Sequence, residues 1–142
     1  MRYTENFSDE TDYKIMMGIS DAKIQSKLVI VLTELQKARN YFAKPFKITS
    51  GYRTEEYNKK VGGAKNSQHT KVEAVEFMAN GNLFVIFDWI SKKLEYDQVI
   101  YESKNNTLWI HFSKKENGNR KEALIAEYDN KTKVYKYTQY KG

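Results

Sequence analysis

The apolar residues of this chain change their period partway along, and that change limits what the chain can fold into. Ile24, Leu28, Val31, Leu32 and Leu35 recur at helical spacing. They predict a helix over about 21–43, capped by Ser20-Asp21 and ended by Lys44-Pro45. Leu83, Phe84, Phe87, Ile90 and Leu94 predict a second amphipathic helix over 82–94. Between them, 46–49 reads as a short strand, Thr54-Glu55-Glu56 opens a short helix to about Val61, and 71–78 reads as another strand. Beyond Leu94 the signals are those of strands. Residues 98–102 and 108–113 form a hairpin around a Lys-Asn-Asn turn, and strands over 121–128 and 133–140 follow, with Asp129-Asn130-Lys131 turning between them. The expected fold is α+β, with two or three helices of the N-terminal and middle regions packed on an antiparallel β-sheet meander. Residues 1–18 are expected to be an irregular lead-in and 19–142 a single domain.

The chain contains no cysteine, which excludes disulfides and thiolate metal sites. Any metal must be held by His, Asp or Glu. The N-terminal residues lack the apolar run of a secretory signal, and the apolar stretch at 28–32 is too short to span a bilayer. A chain made in the cytoplasm without a signal peptide or membrane span is therefore expected. The net charge of +6 and pI near 9.3 favour a polyanionic partner, either nucleic acid or the anionic bacterial wall. Tyr128, Tyr135, Tyr137 and Tyr140, set among lysines, could stack bases. The alternation Val134-Tyr135-Lys136-Tyr137-Thr138 fits an ordinary strand with one buried face better, so nucleic acid is the weaker expectation.

Only two histidines are present. His69 follows the glycine-rich polar loop at 62–67, and His111 lies on a predicted strand with Trp109 on the same face. A single histidine ordinarily fills a structural or surface role; these two are set apart by their neighbours. The series Ser50-Gly51-Tyr52-Arg53, Asn58, Val61-Gly62-Gly63-Ala64, Ser67-Gln68-His69 and Trp109-Ile110-His111 resembles the zinc D-Ala-D-Ala carboxypeptidases, the M15 peptidases. The segment 97–102 and Asn119-Arg120 add to the resemblance, which covers roughly 20–126.

The resemblance implies a Hedgehog/DD-peptidase-like fold and a zinc ion held by His69, Glu76 and His111. Glu76 stands where the family has aspartate, and Val72 where it has glycine. Glutamate can ligate zinc as aspartate does, from a side chain one methylene longer. His69 and Glu76 are seven residues apart, so a regular strand would point them to opposite faces, and a bend between them is required. Glycine suits such a bend and valine does not. Arg53 matches the family's substrate-facing arginine, whose planar guanidinium can bind a carboxylate or polarise a carbonyl; an ion pair with Glu55 or Glu56 is the ordinary alternative. Ser67, Gln68 and Trp109 are the candidates for substrate binding. Many relatives place an acidic base three positions before the last histidine, where this chain has Leu108, and another branch uses a histidine where it has Trp109. Glu102, across the hairpin, is the best remaining base; Asp97 is poorer by position, and a plain hairpin-end charge beside Lys104 is the alternative role for Glu102. The implied activity is zinc-dependent hydrolysis of peptide bonds in bacterial peptidoglycan stem peptides. Such a domain would act at the cell wall after release, or within a phage virion in contact with virion proteins. The alternative is a catalytically weak or inactive domain that binds cell wall or builds a virion.

Overall fold

The computed structural model describes residues 2–8, 22–51, 59–60 and 73–142. Its elements run α1 (Ala22–Phe42), β1 (Lys47–Ser50), β2 (Ala74–Met78), α2 (Leu83–Lys93), β3 (Gln98–Lys104), β4 (Thr107–Ser113), β5 (Glu122–Asp129) and β6 (Val134–Gln139). The fold is α+β, as its sequence pattern predicts, with α1 and α2 against a six-stranded, largely antiparallel sheet.

Both helices bury the apolar stripe their sequence predicts, while the Ser20-Asp21 cap and most of the short helix expected over 54–61 lie outside the described residues. In α1 the side chains of Leu28, Val31, Leu32, Leu35 and Ala38 are fully buried, one stripe at the helical period. Its end is less relaxed: Ala43 has φ +50°, a left-handed conformation that suits glycine better than alanine. Asn82 caps α2 by accepting a hydrogen bond from the Phe84 N–H at 3.1 Å. Gly81 before it has φ +89°, and a Cβ there would meet Lys44 Nζ at 2.9 Å.

Sheet order is β1-β2-β4-β3-β5-β6. The hairpin β3–β4 is closed by Asn105 and Asn106, both at positive φ, in the two-residue loop whose backbone matches strand twist. The expected meander is broken at one step. β5 pairs parallel with β3, Gln98 opposite Glu122 through Ser103 opposite Glu127. The reason is occupancy: β2 already pairs with the free edge of β4, so the chain leaving β4 must cross to the far side of β3. The crossing loop is fastened at Asp97, which has no exposed surface. Its carboxylate accepts from Arg120 Nε at 3.0 Å, Nη2 at 2.6 Å and the Arg120 backbone N–H at 2.9 Å. This bidentate bond holds the guanidinium further above its usual range, against partial desolvation. Asp97 is thus committed to the crossover. A second fastening is Glu34 of α1, also buried, which accepts from the Glu95 N–H at 3.1 Å, Lys37 at 3.1 Å and Lys114 at 3.0 Å. Burial opposes its ionisation, but these donors outweigh it and hold its carboxyl below the usual range.

Parity sorts the sheet into two faces. Val75, Phe77, Val99, Ile110 and Phe112 point to the helices and form the core with Leu28, Leu32, Ile86, Phe87 and Ile90. Tyr3 and Phe7, in the segment bridged by Arg2 and Ser8, belong to the same core. The alternate residues occupy the opposite face.

Replacing Glu34 with glutamine should lower stability at pH 7 by roughly 2 kcal/mol, because charge-assisted bonds to a buried acceptor are lost. A carboxyl with a depressed folded pKa contributes stability above its unfolded pKa and loses it as pH falls through the folded value. The wild type should therefore lose stability below about pH 4.3 more steeply than Glu34→Gln, as read by urea titration across pH; parallel acid limbs would refute this. Ala43→Gly should raise stability by about 1 kcal/mol, seen as a higher urea midpoint at unchanged slope.

Candidate metal centre

The face turned away from the helices carries the chemistry. Register places Glu76 of β2 directly opposite His111 of β4. Glu102 of β3 lies opposite Trp109, two residues along β4 on the same face. One ligand atom from each of Glu76, Glu102 and His111 lies within 4.8 Å of the other two. His111 Nδ1 stands 3.9 Å from Glu76 Oε2, and their side chains are only 11% and 18% exposed.

These donors fit a divalent cation. Two carboxylates and an imidazole are the oxygen and nitrogen ligands such ions take. Four-coordinate metal–ligand distances of about 2.1 Å separate neighbouring ligand atoms by about 3.4 Å. The His111–Glu76 pair is within a small side-chain adjustment of that.

The strand pairing also addresses Glu76 itself. Its longer side chain projects from the middle of a paired strand, with Ser50 of β1 on its other side. Ser50 reaches that position through a register shift between Ile48 and Ser50, a bulge beside the site. The bend expected between His69 and Glu76, together with Val72, lies outside the described residues. So do His69, Arg53, Ser67 and Gln68. Trp109 is half-buried, and its Nε1 is buried with no hydrogen-bond partner among the described residues. Leu108 pairs with Ser103 and turns to the other face, 39% exposed.

Two neighbours of the site were not legible as such in the sequence. The alternation of Tyr135 and Tyr137 does mark a strand, but β6 is an edge strand and its tyrosine side is the side of the glutamates. Glu102 is in register with Ala126, and Ala126 with Tyr137. Burial pushes the Tyr135 phenol up to about 12, helped by the negative charges of Glu102 and Glu76. Tyr137, which is 56% exposed, is raised by its partial desolvation and then by the same two carboxylates. Both phenols therefore stay protonated at neutral pH. The alternation alone could not reveal this, because the parallel pairing of β5 with β3 that delivers β6 to the site is not a local feature.

No curated protein matches the chain. The family model for peptidase M15 matches residues 7–113, a span that includes both helices, β1 to β4 and all three clustered side chains, and stops short of β5 and β6. Members of that family are typically metal-dependent, in keeping with the donor cluster. Since the match covers well over half of its length, the chain belongs to the peptidase M15 family.

Proposed function

We propose that this chain is a zinc peptidase that hydrolyses peptide bonds in bacterial peptidoglycan stem peptides. The observation that carries the reading is the convergence of Glu76, Glu102 and His111 on one sheet face within 4.8 Å. The substrate class follows from the resemblance of the 50–69 and 109–111 motifs to the D-Ala-D-Ala carboxypeptidases, and the basic net charge suits an anionic wall.

In this reading His69, Glu76 and His111 hold the ion. When bound, zinc supplies a Lewis acid that acidifies water and polarises the scissile carbonyl. Glu102 is the general base: it takes the proton of the attacking water and returns it to the leaving amine. The missing acid at Leu108 is thus replaced from the neighbouring strand, since Glu102 faces the cluster while position 108 faces away. Arg53 binds substrate negative charge, and Ser67, Gln68 and Trp109 orient the peptide. The protein would act at the cell wall after release, or from a virion. No helix among the described residues is long and apolar enough to cross a membrane. The second reading, a catalytically weak domain that binds cell wall or builds a virion, rests on Leu108 standing where many relatives carry an acid.

Zinc titration of the purified chain should give one site, and His111→Ala should weaken it at least tenfold; equal affinity in the variant would remove His111 from the ligand set. Glu102→Gln should still bind zinc but release peptide fragments from purified peptidoglycan about 100-fold more slowly. Undiminished release would show that another group is the base. No chelator-sensitive release from the wild type would favour the second reading.

A further inference from the structure

Glu102 is flanked unequally. On the β4 side it meets Trp109; on the β5 side it meets Ala126, whose side chain is a single methyl group. A general base acts only when it is held in position, and Ala126 leaves space beside Glu102 for a larger side chain of the next strand. Ala126 has no exposed surface. The side chains in register with it on this face are Glu102 and Tyr137. The Glu102 and Tyr137 backbones are two strand spacings apart, about 10 Å, a gap that a glutamate and a tyrosine reaching towards each other can close over Ala126.

We propose that Tyr137 is a positioning residue for the catalytic step: its ring closes the side of the site away from β2 and holds the Glu102 carboxylate towards Glu76 and His111. The proposal rests on the reading of Glu102 as the base. The ring is itself buttressed. Lys104 Nζ sits over the Tyr128 ring at 4.2 Å, Tyr128 packs edge-on against Tyr135 at 5.2 Å, and Tyr135 lies 6.3 Å from Tyr137. Glu102 and Glu76 lie near enough to both phenols for their charges to act on them. The hairpin β5–β6 that carries these rings lies beyond the residues matched by the family model.

The test uses the full chain. In the metal-free wild type, NMR should show nuclear Overhauser contacts between the Tyr137 ring protons and the Glu102 side-chain methylenes. Tyr137→Thr keeps a strand-forming residue but removes the ring. It should lower kcat on a synthetic stem peptide about tenfold with KM within about twofold, and it should average the Glu102 side-chain couplings. Tyr137→Phe should keep kcat within about twofold of wild type, because the ring and not the hydroxyl does the positioning. Lys136→Thr, on the other face of the same strand, should change nothing. Absence of the contacts overturns the proposal, as does an active wild type matched by Tyr137→Thr. Contacts present in a wild type that hydrolyses no peptide would instead overturn the peptidase reading, and the catalytic role of Tyr137 with it.

Discussion

The pairing of β2 with β4 is the constraint on which the rest of this structure depends. Four residue pairs, Ala74 with Ser113 through Phe77 with Ile110, set it. On the core side it brings Val75 to Phe112 and Phe77 to Ile110, all without exposed surface. Because burial fixes which side of each strand faces the helices, it fixes the other side too. Glu76 and His111 meet for the same reason that Phe77 and Ile110 do. The apolar core is therefore what aligns the polar site.

The same pairing forces the crossover. With both edges of β4 taken, the chain can add β5 only beyond β3, and the price is a loop of polar backbone passing the end of the sheet. Asp97 and Glu34 meet that demand from opposite sides, the first gripping Arg120 and the second Lys114. Each is a buried carboxylate whose lone pairs are well supplied with donors, the condition under which a buried charge is tolerated. Site and scaffold thus use the same kind of side chain in different ways. Asp97 and Glu34 accept from fixed cations of the chain, whereas Glu76 and Glu102 each bring a carboxylate oxygen within 4.8 Å of the His111 imidazole.

Much of this was legible in the sequence. The stripe from Ile24 to Leu35 marked α1, the Asn-Asn turn marked the β3–β4 hairpin, and Asn82 with its apolar followers marked α2, because each signal is local. Trp109 and His111 could be placed on one face by counting. What could not be read is non-local: that Glu76 would be opposite His111, that β5 would run parallel to β3, and that the β6 tyrosines would face the glutamates. Those facts depend on which strand edges remain free, and no spacing within one segment encodes that. Glu102 lay between the two cases. Its position near the hairpin end suggested reach towards His111, and its register with Trp109 supplies the face.

The Asn105-Asn106 turn has a consequence for how such a chain can vary. It holds β3 and β4 in a register where even-numbered Glu102 shares a face with odd-numbered Trp109 and His111. One residue inserted between positions 104 and 107 would have to be absorbed as a bulged three-residue loop; otherwise it would shift the phase of one strand against the other and turn either the glutamate or the histidine into the core. The 130–133 turn between β5 and β6, fully exposed and remote from that pairing, carries no such restriction. Length variation in this fold is therefore partitioned: the distal hairpin can drift, while the two asparagines act as a fixed counting device for the chemistry beside them.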